Sequence, residues 1–176
     1  MVCTACPHLL VIVALLCPTL AAAQGWSRSV PAPAAAAATT PSQVISSNPF
    51  GLVLDLVNVE YERRADREVT AGVSASRGNW GAATGRPYVN SDIFVRYYPG
   101  GRVFSGRSFG VKAGITQLPG SARTHLGVGV DVNQTWMLTS HFAFSTGFGL
   151  KRLIGVGVAD GPRVIPTLRI NVGVGF

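Results

Sequence analysis

The stretch TLRINVGVGF, from Thr167 to Phe176, alternates without a break. Leu168, Ile170, Val172, Val174 and Phe176 share one parity, and Thr167, Arg169, Asn171, Gly173 and Gly175 share the other. Successive side chains of a strand leave opposite faces, so this stretch predicts a strand with one apolar face and one polar, glycine-rich face. The apolar face ends on an aromatic residue, the last of the sequence. Apolar outside and polar inside is the arrangement of a barrel whose surroundings are lipid.

The same pattern repeats toward the N-terminus, with turn residues between the runs. Val57, Val59 and Tyr61 oppose Asn58, Glu60 and Glu62; Val69, Ala71, Val73 and Ala75 oppose Thr70, Gly72 and Ser74. Ile93, Val95 and Tyr97 oppose Asp92, Phe94, Arg96 and Tyr98. Phe109, Val111, Ala113 and Ile115 are backed by Gly110, Lys112, Gly114 and Thr116. Leu126, Val128, Val130, Val132 and Trp136 oppose Gly127, Gly129, Asp131 and Asn133. Phe142, Phe144, Phe148 and Leu150 are backed by Ala143, Ser145, Gly147 and Gly149. These are seven strands, whereas bacterial single-chain barrels have an even number. The eighth is expected from Val44 to about Leu52, with Asn48-Pro49 or Gly51 bending the chain before the run that begins at Val53. The fold class read here is all-β: an antiparallel up-and-down transmembrane β-barrel of eight strands, over residues 44–176.

Composition agrees. Only 13% of the 176 residues are charged, against about 25% in ordinary soluble domains. After residue 23 no stretch is apolar for long enough to cross a bilayer as a helix. Lipid offers no partner to unpaired backbone groups, so a lipid-exposed chain of this kind has to close into a barrel.

All three cysteines, Cys3, Cys6 and Cys17, fall in the first 20 residues. There Leu9 to Leu16 forms a short apolar core, and Ala21-Ala22-Ala23 before Gln24 reads as a signal-peptidase site. Residues 1–23 are therefore expected to be a cleaved signal peptide, although Met1 to His8 carries no Lys or Arg. Export would leave no cysteine for a disulfide or a metal. Residues 24–43 are rich in Ala, Pro, Ser and Thr, and read as a flexible periplasmic linker.

Placing Phe176 at the periplasmic end fixes the hairpins. The connections 63–67, 99–107 and 138–140 then share that end, and 77–87, 118–122 and 159–163 face outward. Tyr61, Tyr97, Phe109, Trp136, Phe142 and Phe176 all fall at periplasmic strand ends on the apolar face. That is an aromatic girdle at one interface.

The run Val59-Glu60-Tyr61-Glu62-Arg63, the Arg96-Tyr97-Tyr98-Pro99 that closes a strand, and the glycine-rich ending at Phe176 resemble the uncharacterised small outer-membrane β-barrel proteins grouped as a domain of unknown function. More distantly they are similar to OmpA/OmpX-type eight-stranded barrels. The terminal aromatic strand also resembles the signal by which outer-membrane barrels are recognised for insertion. The likeness covers about residues 48 to 176. It implies the cell outer membrane, contact with its lipid including lipopolysaccharide, and handling by the barrel-assembly machinery. The chain departs from the proteins it resembles in its ambiguous first strand and its short outer loops.

The chemistry the residues offer is limited. Glu60, Glu62, Asp92, Arg96, Lys112, Asp131 and Arg169 share the inward face, where buried charges have to be paired. Such a set either plugs the lumen or lines a narrow pore. Eight strands leave little more than side-chain width, which favours the plug; the inward glycines are the feature that argues for spare space. Catalysis needs a nucleophile and base in register. The mature chain offers only His125 and His141, both read as interfacial polar residues, so no catalytic residue, cofactor or metal site is expected. Arg77, Arg86, Arg123, Lys151, Arg152 and Arg163 are placed near the outward ends, suited to phosphorylated lipid heads. No basic helix or stacking platform supports nucleic-acid binding. The expected protein is a non-enzymatic monomer. The alternative is a soluble secreted barrel that binds an apolar ligand, as lipocalins do, with the two faces exchanged.

Overall fold

The computed structural model describes residues 41–79, 85–157 and 162–176. The signal-peptide segment and the linker as far as residue 40 lie outside the described residues. Eight strands follow in order: β1 (Gln43–Ser47), β2 (Leu56–Arg64), β3 (Val69–Gly78), β4 (Tyr88–Tyr97), β5 (Gly106–Gln117), β6 (Thr124–Met137), β7 (Phe142–Leu153) and β8 (Val164–Gly175). Each pairs antiparallel with its neighbours in sequence, and β1 pairs with β8 to close the ring. The fold is an all-β, up-and-down, eight-stranded barrel.

The strand register sets the barrel's shape. Stepping across the ladders from Val164 passes through Arg152, Val128, Ala113, Ile93, Val73, Tyr61 and Ile45. The path returns to β8 at Val174, ten residues beyond its start. With strands about 4.8 Å apart and a rise of about 3.3 Å per residue, that stagger tilts them by about 40° and gives a barrel roughly 16 Å across, backbone to backbone.

Alternation decides the faces. Val73, Ile93, Val111, Val130, Phe148 and Leu168 are exposed on the outer surface. Glu60, Glu62, Asp92, Arg96, Asp131 and Lys151 are buried inside. Phe94, the inward aromatic of β4, lies under the Arg96 guanidinium, 3.9 Å from its ring centre. The six girdle residues gather at one end. Tyr97 faces Phe109 across β4–β5, Trp136 stacks on Phe144, and Phe142 pairs with Val174.

β1 is shorter than expected. It stops at Ser47, and Pro49–Leu54 winds into a 3₁₀ segment. The local cause is a side-chain cap: Asn48 Oδ1 accepts hydrogen bonds from the backbone N–H of Phe50 (3.0 Å) and Gly51 (3.1 Å). Asn is a favoured cap, and proline is preorganised for the position after it. Asn48-Pro49 is thus the bend, and the chain does not continue as a strand to Leu52. At the other end the termini of the barrel zip together. The Phe176 carbonyl accepts from Ser42 N and Gln43 N, and Phe176 N donates to Gln43 O.

Candidate functional site

The lumen is the one place where this fold concentrates chemistry. All seven inward charges expected from the sequence meet there, and Lys151 joins them. Arg96 is the hub. Its Nη1 lies 2.8 Å from Glu60 and 2.6 Å from Glu62, and its Nε lies 3.5 Å from Asp131. Arg169 bridges the same two glutamates from β8. Thr70 and Tyr98 donate their hydroxyls to Glu62, at 2.5 and 2.9 Å.

A second group lies nearer the opposite end. Lys151 Nζ pairs with Asp92 and donates to Asn90 Oδ1 at 2.8 Å. Asn90 also accepts from Thr116 and donates to Asp92. Between the groups, Lys112 donates to Thr167 at 2.7 Å and stands 3.8 Å from Asp131. The acids Glu60, Glu62, Asp92 and Asp131 are matched by Arg96, Lys112, Lys151 and Arg169. That balance makes burial tolerable, because a charge in this interior without a partner would be prohibitive.

Two placements differ from the sequence reading. Lys151, assigned to the outward rim, is 1% exposed inside the barrel. β7 runs three residues past Leu150, and Lys151 keeps the inward parity of Gly147 and Gly149. His125, read as interfacial, is buried inside the wall with its Nε2 unpartnered. His141 sits in the exposed β6–β7 turn as expected. Arg77, Arg86, Arg123, Arg152 and Arg163 are exposed.

At most inward glycines the backbone or a side chain of a neighbouring strand leaves no room for a Cβ, and Gly147 and Gly149 also line the luminal cavity. A Cβ at Gly110 would collide with Asp131, one at Gly114 with Ser91 and Asp92, and one at Gly127 with Lys151. Glycine is required here by close approach.

An apolar cluster sits toward each end of the barrel, which alternation could not reveal. The β4–β5 connection turns into the barrel and buries Tyr98, Val103 and Phe104 against Val44, Ala143 and Met137. Phe104 adopts a left-handed backbone (φ 60°) to insert its ring, a conformation that costs a non-glycine residue about 1–2 kcal/mol. The space left beside it is about 10 Å³, enough for about one water. At the far end Leu118, Leu153 and Val156 pack with Ile165. A cavity of about 320 Å³ remains in the lumen, lined by residues of every strand from β2 to β8.

The fold and this interior define a small closed β-barrel with a charge-paired, end-capped lumen. No known family model, curated protein or solved structure matches the chain.

Proposed function

We propose that the chain is a bacterial outer-membrane β-barrel with a structural or envelope-anchoring role and a plugged lumen. The observation that carries this reading is the distribution of faces. Valine, leucine, isoleucine and phenylalanine stand exposed on the outside of the long strands, while the ion-paired charges are inside. Water would penalise such an exterior, and lipid rewards it. Strands tilted by about 40° climb about 2.5 Å per residue, so ten residues cover the ~25 Å apolar band of such barrels. β3 to β8 have 10 to 14 residues each.

The girdle supports the orientation with Phe176 toward the periplasm. Exposed Arg77 and Arg152 stand near the opposite rim, where their stems can lift the guanidinium to lipopolysaccharide phosphates. A barrel for an apolar ligand would need an apolar lining, and this one is lined by ion pairs. The axial caps favour a plug over a passive pore. No catalytic role is assigned to His125 or His141.

The test is heat-modifiability. Membrane fractions from expressing cells are run on SDS gels with and without boiling. A mobility shift in the outer-membrane fraction is expected; an unshifted band in the soluble periplasmic fraction would overturn the reading.

A further inference from the structure

The barrel wall has a side window. From Val164 to Asn171, β8 pairs with β7 alone, because β1 ends opposite Val172. Phe176 and Gln43 exchange backbone hydrogen bonds across the β8–β1 seam. Strand backbone groups alternate sides, so those of residues 170, 168, 166 and 164 also point across it. One of these positions is Pro166. Proline has no N–H to give and is tolerated on strand edges. The sequence therefore suits an edge that carries no neighbouring strand.

The cavity of about 320 Å³ lies directly behind this edge. Asn58 and Ser76 of β2 and β3 bound one side, and Thr167 and Arg169 of β8 bound the other. It also touches Asn48 and Leu56 on one side of the gap and Ile165, Pro166 and Leu168 on the other, where β1 no longer stands between β2 and β8. Its size falls at the lower end for small-molecule pockets, about 300 Å³.

The chemistry of the window is two-sided. Its surroundings on the outside are apolar: Leu168 is 74% exposed, and Phe50 (60%) and Val53 (86%) stand exposed on the 3₁₀ segment that lies against β2 and β8. Its floor is polar, with charges that cancel: Glu60, Asp92 and Asp131 against Arg96, Lys112 and Arg169. Unused hydrogen-bonding groups flank the seam. Asn58 Oδ1 lacks a donor, and Arg169 Nε and Nη1 lack acceptors. A hydroxyl, donor and acceptor at once, satisfies both kinds of group, whereas a full charge would upset the balance.

We infer that this window binds the neutral, polyhydroxylated head group of an amphiphile that reaches it from the membrane plane, its chain remaining against Leu168 and Phe148. The inference rests on the membrane reading above. The occupant is of sugar-headed or polyol-headed chemistry.

The experiment titrates the folded barrel in dodecylphosphocholine micelles with n-octyl β-D-glucoside or with free glucose, following backbone amide resonances. Octyl glucoside is expected to give saturable shifts confined to Asn58–Glu60 and Thr167–Asn171, with free glucose at least tenfold weaker. Ser76→Leu, which fills the cavity, should weaken the glycoside at least tenfold; Ser74→Leu serves if the first variant misfolds. Equal binding of glucose would overturn access from the membrane plane. Shifts spread along the outer face, or none at the seam, would overturn the site while leaving a heat-modifiable barrel intact. A chain that does not insert into vesicles would overturn both readings.

Discussion

Lys151 is buried as deeply as any charged side chain among the described residues, and Asp92 and Asn90 meet its ammonium. Lys151→Met should therefore destabilise the barrel by about 3–5 kcal/mol, since the buried Asp92 loses its ion-pair partner. Adding Asp92→Asn should restore most of the loss, because the pair is removed together. A double-mutant cycle by denaturant titration in vesicles measures both. The glycines give a second contrast. Gly114→Ala forces a methyl against Ser91 O and Asp92, and should cost about 1–3 kcal/mol. Gly100→Ala meets nothing within 4 Å and should stay within about 0.5 kcal/mol of the parent in the same assay. Parity alone made seven of the eight lumen charges legible, from Glu60 to Arg169. Lys151 escaped because the apolar alternation of β7 ends at Leu150, one residue short of it. The role of the glycines was hidden for another reason: whether a missing Cβ leaves a void depends on side chains from adjacent strands.

β6 carries the longest outward apolar series, with Leu126, Val128, Val130 and Val132 all exposed. Val130 lies midway along the band, so Val130→Arg should weaken insertion by about 2–4 kcal/mol. Val130→Leu should be neutral, and folding yield into vesicles separates the two. The β4–β5 connection poses a different problem. Its Tyr98 and Phe104 rings meet edge-on at 6.5 Å inside the barrel mouth. Phe104→Ala removes one of those two rings. It should lower stability by about 3–5 kcal/mol and raise planar-bilayer conductance above the parent's baseline. Strands β2 to β8 could be read from period-two patterning, since each presents one polar and one apolar face. β1 could not be read to its end. Its stopping point is set by the Asn48 cap and Pro49, which act on backbone hydrogen bonding rather than on hydropathy. The inward turn of the β4–β5 connection is a packing event with no periodicity to announce it.

At the scale of the whole molecule, eight strands staggered by ten residues enclose ion pairs, two apolar clusters and a cavity of about 320 Å³. That cavity is lined from β2 to β8 and reaches the stretch of wall that β1 leaves incomplete. Strand number and the parity of the two faces were legible because each follows from alternation and turn spacing summed over the chain. The end caps and the side window arise from contacts between distant elements, and no local pattern specifies them. The central claim is that the apolar exterior meets lipid. It is tested most directly by spin labels placed one at a time at Leu126, Val128, Val130 and Val132 on β6 and at Ser140 in the exposed β6–β7 turn, in a chain whose three cysteines are replaced by serine. After reconstitution in vesicles, collision rates with oxygen and with a water-soluble nickel chelate are compared at each position. Labels at 126, 128, 130 and 132 should favour oxygen, and the label at 140 should favour the chelate. Uniform access of the nickel chelate to the β6 positions would contradict the account, since the apolar face would then lie in water.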